Sequence, residues 1–307
     1  MSSISISVCS PTKPIQRNSI SNPIQHKPLK RKCHHHYWDE APWKKPTKKL
    51  KYLPPAEPDY IWVSGEVNQY KSRCTNLYLR ETSKKYRICP YEVIPFIGPS
   101  GPKPFERVYM SPPLNGDDYT FIYEYMVTQF SIQFPLSSFE CQMLTEMQTA
   151  PSQLHPNTWG FLQAFQILCK YFSIESTTNR FMIFYQMKYD ESIGWISLAH
   201  ASTRLKLFSL YKNSFNAFKD AFFKVEARKT DPLRRILFDK NYAPRFPLYW
   251  VIPMKFKSRA AHQLTTQEKV NIQFLIGFRI SYGKPLPTKD LMDSVDVKEP
   301  VQYLKGE

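Results

Sequence analysis

The strongest helical pattern of apolar and polar positions lies in the middle of the chain, between residues 131 and 230. In the segment FPLSSFECQMLTEM (134–147), Ser137 is followed three residues later by Glu140. This spacing is typical of a capping box, in which each side chain bonds a backbone N–H at the start of a helix. Apolar residues then recur at helical intervals, so the pattern predicts an amphipathic helix.

A second helix is predicted directly after the turn SQLHP (152–156). Pro156 suits the first helical position, where no backbone N–H is needed, and either His155 or Asn157 is placed to cap the helix. A broad apolar stripe follows: Trp159, Phe161, Leu162, Phe165, Leu168, Cys169 and Phe172. We therefore expect Trp159 to be a core residue. A third, short helix is predicted for NRFMIFYQMK (179–188).

Short strands and loops are predicted on both sides of these helices, because β-branched and aromatic residues alternate with turn-forming clusters. Before the helices the segments are YIWVSGEV (60–67), NLYLRET (76–82), KYRICPYEVI (85–94) and YTFIYEYMV (119–127). After them come GWISLAHA (194–201), LKLFSL (205–210) and AFFKVEA (221–227). A second capping box, Thr265 with Glu268, predicts a final helix, and LPTKDLMDSV (286–295) one further turn.

The pattern as a whole predicts an α+β fold. It consists of a helical subdomain of three helices followed by a small antiparallel sheet, with a disordered basic N-terminal tail. The expected organisation is a tail at 1–58, short strands and loops at 59–130, the main domain at 131–285 and a C-terminal tail at 286–307. The tail is assigned from its Ser, Pro and Lys content and its lack of apolar periodicity.

Composition narrows the range of partners. The 42 basic and 26 acidic residues give a net charge of +16, which favours phosphate-bearing partners. Only 9 glycines are present, too few to suggest phosphate-cradling loops, so no cofactor is expected. The 6 cysteines show no CxxC spacing, which favours reduced thiols, and the absence of an apolar run of 18 residues predicts no membrane span.

Two basic clusters in the tail resemble a bipartite nuclear-import signal. They comprise Lys30, Arg31, Lys44, Lys45, Lys48 and Lys49. Nuclear localisation is therefore expected. A plastid transit peptide is the alternative, because the start of the chain is rich in serine and has no acidic residue before Asp39. The tract KCHHHYW (32–38) is not assigned to a metal, since adjacent side chains diverge and no second ligand pair is evident.

Basic residues interleaved with aromatic ones between 203 and 229 suggest a surface for nucleic acid. The predicted phosphate ligands are Lys212, Lys219, Lys224 and Arg228. The alternative interpretation is a strand with one buried and one solvated face. Contact through these residues would be driven by charge and without sequence preference.

Four separated motifs occur in a fixed order: the line from Phe134 to Ile174, GWISLAHA, LKLFSLYKNSFNAFKDAFFKV and FPLYW. Over about residues 131 to 255 the chain thereby resembles the plant domain "transposase (putative) gypsy type", found on the gag side of plant long-terminal-repeat retroelements. It departs at Phe218, where many members have tryptophan, and in the longer connection ARKTDPLRRILFDKNYAP (227–244).

The resemblance implies a non-enzymatic, gag-like protein that binds nucleic acid or self-associates. The alternative is an enzyme of DNA transposition, which would need three carboxylates around two metal ions. The available carboxylates are Asp190, Glu191, Asp220, Glu226 and Asp231. Their positions in a turn and on an amphipathic strand favour solvated surface charges. No catalytic or metal-binding residue is therefore predicted, and His155 is interpreted as a helix cap.

Overall fold

The protein is described from a computed structural model. It describes residues 60–86, 96–97, 106–111, 118–189, 194–212, 215, 218–226, 232–252 and 263–293. The helices are α1 (Asn76–Tyr86), α2 (Glu124–Thr128), α3 (Ser138–Glu146), α4 (Pro156–Tyr171), α5 (Thr178–Phe181), α6 (Thr266–Ser281) and α7 (Thr288–Asp293). The strands are β1 (Phe96–Ile97), β2 (Tyr119–Tyr123), β3 (Tyr185–Tyr189), β4 (Ile196–His200) and β5 (Phe222–Glu226). The predicted tail at 1–58 lies outside the described residues.

The larger sheet is antiparallel, with the strand order β1-β5-β2. β2 and β5 pair from Tyr119 opposite Glu226 to Tyr123 opposite Phe222. Because β2 precedes α2 and β5 follows α5, the four helices α2 to α5 are inserted between two paired strands. The α+β class with small antiparallel sheets is confirmed. The expected order, with the whole sheet after three helices, is not what the structure shows.

The predicted capping chemistry of α3 and α4 is confirmed. Ser137 and Glu140 form a complete capping box at α3. At α4, the His155 side chain accepts a hydrogen bond from Asn157 N–H, and Pro156 occupies the first helical position. Trp159 is 0% exposed, and its indole N–H donates to Pro151 O at 3.2 Å. α4 is therefore the buried central helix of the fold, with Trp159 in the core as expected.

The predicted third helix is half wrong. α5 ends at Phe181 after a single turn, and β3 begins at Tyr185. β3 pairs antiparallel with β4, with Tyr185 opposite His200. The alternation of apolar and polar residues in FYQMKY suits a strand, and the pairing with β4 favours a strand over a helix in this segment.

Three predicted strands are also wrong. NLYLRET belongs to α1, whose start is capped by the Thr75 hydroxyl accepting a hydrogen bond from Tyr78 N–H at 3.2 Å. This local bond outweighs the strand-like alternation of the segment. LKLFSL remains irregular because Phe208 forms only an isolated bridge, to Leu286. YIWVSGEV begins with one turn of 3-10 helix, Tyr60–Trp62, and ends where a second, Val67–Gln69, begins, whereas YTFIYEYMV divides into β2 and α2.

The second capping box is confirmed at α6, where Thr265 and Glu268 bond each other's backbone N–H groups. The further turn is also confirmed as α7. α7 packs against α4, and Leu291 on it is 1% exposed. The C-terminal helices therefore contribute to the same core as the central helix. No helix in the described part of the chain is both long enough and apolar enough to cross a membrane.

Candidate functional site

Lys212 lies where the chain passes the start of α4. Its Nζ donates a hydrogen bond to Gln129 Oε1 at 2.8 Å and lies 5.5 Å from the centroid of the Phe215 ring. Asn157 fixes this position, because its amide donates to Lys212 O at 3.0 Å and its Oδ1 accepts from Lys212 N–H at 3.3 Å. Lys212 is exposed, so its ammonium group is accessible to a phosphate.

Lys219 occupies a small pocket of aromatic rings and a carboxylate. Its Nζ lies 2.6 Å from Glu66 Oε1, 4.6 Å from the Trp195 ring centroid and 5.1 Å from that of Tyr70. Burial lowers the pKa of Lys219, but the hydrogen bonds to Glu66 and Tyr70 outweigh it, so the pKa is raised. The side chain stays charged, and much of that charge is already balanced within the protein.

Lys224 lies in the middle of β5, and its side chain is only 9% exposed. Its Nζ lies 2.9 Å from Glu106 Oε1 and 4.9 Å from the Tyr119 ring centroid. Since both of its β5 neighbours, Phe223 and Val225, are fully buried, the strand has no solvated face at this point. This is evidence against a phosphate contact at Lys224. Arg228 lies outside the described residues, and the set of four phosphate ligands remains a prediction.

Residues 232–245, here named the basic loop, form a second concentration of positive charge, which sequence reasoning did not assign. The basic residues of this loop are Arg234, Arg235, Lys240 and Arg245. Its acidic residue, Asp239, accepts hydrogen bonds from Asn241 N–H at 2.8 Å and Ala243 N–H at 2.9 Å. The loop coincides with the long connection that departs from the resembled family. Its charge was visible in the sequence, but its folded geometry was not.

Within the basic loop, an arginine is stacked on an exposed tyrosine. The Cζ atom of Arg234 lies 3.3 Å from the ring centroid of Tyr242, a residue that is 48% exposed. Tyr242 has a φ of 66°, in the left-handed region that a side chain of this size rarely adopts. The Nε of Arg234 is buried and has no hydrogen-bond partner. The loop therefore presents a cationic and aromatic pair at the surface.

His155 has the geometry of a structural residue. Its Nδ1 accepts a hydrogen bond from Asn157 N–H at 3.2 Å, and its ring packs edge-on against Phe215 and Phe218. Burial, together with the charge of Lys219, lowers the pKa of His155. The interpretation of His155 as a helix cap is confirmed.

The carboxylates considered for phosphoryl transfer do not converge where the structure describes them. Asp220 lies just before β5 and Glu226 ends it, which separates them by roughly 20 Å at about 3.3 Å per strand residue. Two-metal sites hold their ions about 4 Å apart. Asp220 is instead bound to Arg73, with 3.6 Å between Oδ1 and Nε. Asp190, Glu191 and Asp231 lie outside the described residues. Within the part of the chain that the structure describes, no group of three or more His, Cys, Asp or Glu side chains could hold a metal ion.

The described cysteines, Cys74, Cys141 and Cys169, are free and buried. Burial raises the pKa of each thiol to about 11. Because the thiolate is the reactive form, these three residues are poor nucleophiles at neutral pH. They serve as small core side chains.

A groove of about 770 Å³ beside α3 and α4 is lined by polar and apolar side chains, among them four glutamines. Its carboxylate, Glu140, is 4% exposed. Glu140 Oε1 accepts hydrogen bonds from Gln163 and Gln166, and Oε2 accepts one from Ser137 N–H at 2.7 Å. The carboxylate is therefore committed to capping α3 and to the two glutamines of α4.

The exposed side of α6 carries a stripe of apolar side chains. Val270, Phe274 and Ile280 are 57%, 48% and 61% exposed, and a side chain at Gly277 would meet nothing within 4 Å. From residue 270 to 281 the sole charged residue is Arg279, whose Nε donates to Lys206 O at 3.1 Å. The stripe is therefore uncharged along three turns of helix.

These features define an α+β protein with an aromatic core and two unassigned surfaces, one basic and one apolar. Comparison with known families gives a match over residues 122–189, to the family described as "Putative gypsy type transposon". The matched segment contains α3, the LHPN turn and α4, and it confirms the resemblance drawn from these motifs. The motifs from GWISLAHA onward lie beyond it. Comparisons with curated proteins and with solved structures give no match.

Proposed function

We propose that this chain is a non-enzymatic, gag-like protein of a gypsy-type transposon, and that its role is self-association through α6. The observation that carries the proposal is the uncharged apolar stripe of Val270, Phe274 and Ile280. The family match supports the relation to a gypsy-type element. The binding role rests on the surface of α6.

Charge explains why this surface suits a second copy of the chain. Two molecules that each carry a net charge of +16 repel each other, so they associate best through surfaces without charge. The stripe on α6 is such a surface, because Arg279 is turned towards Lys206 O. Large exposed apolar side chains in one stripe are also typical of a protein contact.

The shape of α6 favours close packing between two copies. Gly277 leaves an open space on the helix surface, one turn beyond Phe274. When two α6 helices pack antiparallel about a twofold axis, Phe274 of one copy lies over Gly277 of the other. Helices approach closely where a small residue faces a large one. Such a contact is isologous, so it closes into a dimer.

Sedimentation equilibrium of the full chain tests the proposal. We expect a dimer for the natural sequence and a monomer for Val270→Glu, with the same far-UV circular dichroism spectrum. Leu77→Glu is the matched control, since Leu77 is a 69% exposed apolar residue on α1. It should remain dimeric. A monomeric natural protein, or loss of the dimer in both variants, would contradict the proposal.

Gly277→Leu distinguishes close packing of two α6 helices from non-specific hydrophobic association. Leucine at this position has open space in the monomer and a higher helix propensity than glycine, so folding should be retained. The added side chain makes the surface more apolar but holds the two helices apart. We expect weaker dimerisation. Stronger association would show that the contact is not the close α6 pair proposed here.

A further inference from the structure

We propose that the basic loop binds unpaired nucleobases of single-stranded nucleic acid, with a base stacked on Tyr242 and the flanking phosphates held by Arg235 and Lys240. This site is separate from the apolar stripe on α6 and does not depend on self-association. It also differs from the four predicted phosphate ligands, because it lies in the connection after β5.

The loop is rigid enough to present a binding surface. Phe238 N–H donates to Arg234 O at 2.9 Å, Asp239 N–H to Ala243 O at 2.8 Å and Arg245 N–H to Leu237 O at 2.9 Å. Leu237 is 0% exposed and anchors the loop in the core. A site that is already ordered loses little conformational entropy when a ligand binds.

The backbone at Tyr242 holds its ring at the surface. A φ of 66° is costly for a residue with a large side chain, and such positions cluster at functional sites. The conformation is held by Tyr242 N–H donating to Asp239 O at 3.2 Å. Despite the stacked guanidinium of Arg234, the residue remains 48% exposed. The ring is therefore available to a further stacking partner.

The charges of the loop favour a phosphate-bearing ligand. Arg235 and Lys240 are exposed, whereas Arg245 is used within the protein, since its guanidinium donates to Leu136 O at 2.9 Å. The carboxylate of Asp239 is occupied by backbone N–H groups of the turn. Exposed cations in the same loop as an exposed aromatic ring match the pattern by which proteins bind single strands.

The stacking position discriminates against duplexes. A base within a duplex already has neighbours on both sides, whereas an unpaired base has a free π-face for Tyr242. The helical part of the loop is a short 3-10 helix, Pro232–Ile236, which is too short to read base edges along a groove, so we expect no strong preference for one sequence. Single-stranded DNA and RNA offer the same base and phosphate chemistry, and the experiment separates these two sources.

Fluorescence anisotropy with the full chain tests the inference, using 20-nucleotide dT and rU oligomers and a DNA duplex of equal length. The measured quantity is the ratio of single-strand to duplex affinity, because general charge attraction from other lysines contributes to both. We expect Tyr242→Ala to reduce this ratio about 10-fold, within the range of one stacked base. Tyr242→Phe keeps the ring and should preserve the ratio.

Phe274→Ala is the matched control, since Phe274 is an aromatic residue with the same 48% exposure on α6. It should leave the ratio unchanged even if the oligomeric state changes. Where Tyr242→Ala fails to fold, Tyr242→Asn replaces it, because asparagine tolerates a positive φ. Equal affinity of the natural protein for single strands and duplex, or an unchanged ratio in the Tyr242 variants, would overturn the inference. Different ratios for dT and rU would identify the preferred source.

Discussion

Trp159 is the side chain whose removal should most clearly reveal how the core is held together. It lies in the first turn of α4, is 0% exposed, and donates its indole N–H to Pro151 O. Trp159→Ala removes the whole indole from a closely packed region. Such large-to-small changes cost about 3–5 kcal/mol, from lost apolar burial and the remaining cavity.

The hydrogen bond adds a smaller amount. Pro151 O also accepts a bond from Leu154 N–H at 3.4 Å, so it is not left entirely without a donor. Loss of the hydrogen bond from the Trp159 indole should therefore cost about 1 kcal/mol. The total is about 4–6 kcal/mol, a large fraction of the 5–15 kcal/mol by which typical domains are stable. Trp159→Phe keeps an aromatic ring and should lie between the natural protein and the alanine variant.

Urea unfolding followed by far-UV circular dichroism measures these differences as a shift of the midpoint. Leu77→Ala serves as a control, because Leu77 is 69% exposed and its truncation should cost no more than about 0.5 kcal/mol. If Trp159→Ala unfolds at the natural midpoint, or if only ligand binding changes, the assignment of Trp159 to the core is refuted.

Three further predictions concern charge. Lys224→Ala should cost about 3 kcal/mol, because it removes the buried partner of Glu106, and an unchanged melting temperature with weaker nucleic-acid binding would instead favour a phosphate role. Burial, together with the charge of Lys206, lowers the pKa of His200 from 6.5 to about 4. As the pH falls, the unfolded state therefore takes up a proton before the folded state does. The contribution of His200 to stability is lost as the pH falls from 6.5 towards 4. His200→Phe should flatten this decline in thermal-melting series, and an unchanged slope would contradict it. For localisation, we propose nuclear import through the tail. Replacing the second basic cluster with alanine should keep a fluorescent fusion protein in the cytoplasm, whereas plastid entry or continued nuclear import would refute this. The replaced residues are Lys44, Lys45, Lys48 and Lys49.

Features that depend on neighbouring residues were predicted well from the sequence. The capping boxes at Ser137 and Thr265 require partners only three residues away, and both helices form where the spacing indicates. The burial of Trp159 follows equally from helical periodicity. These signals are local, so no knowledge of the remaining chain was needed.

Features that depend on distant partners were missed. The helical periodicity of residues 179–188 predicts a helix where β3 forms, because the pairing of β3 with β4 is decided by tertiary structure. The ion pair of Lys224 with Glu106 could not be foreseen, because Glu106 lies 118 residues earlier in the chain. The stacked pair of Arg234 and Tyr242 requires a loop conformation that charge alone does not specify. The sequence shows that this loop is basic, but it does not show that the Tyr242 ring is exposed at the surface.

The pairing of β2 with β5 has a consequence for how the protein is divided into fragments. The segment that matches the transposon family begins inside β2 and ends with β3, so both of its terminal strands have their partners, β5 and β4, beyond its boundary. Excised at those limits, it would expose two strand edges and invite aggregation. The matched segment is therefore smaller than the folding unit. A fragment made for study should extend beyond the match on both sides, at least from Tyr119 to Glu226, so that β2 and β3 keep their partner strands.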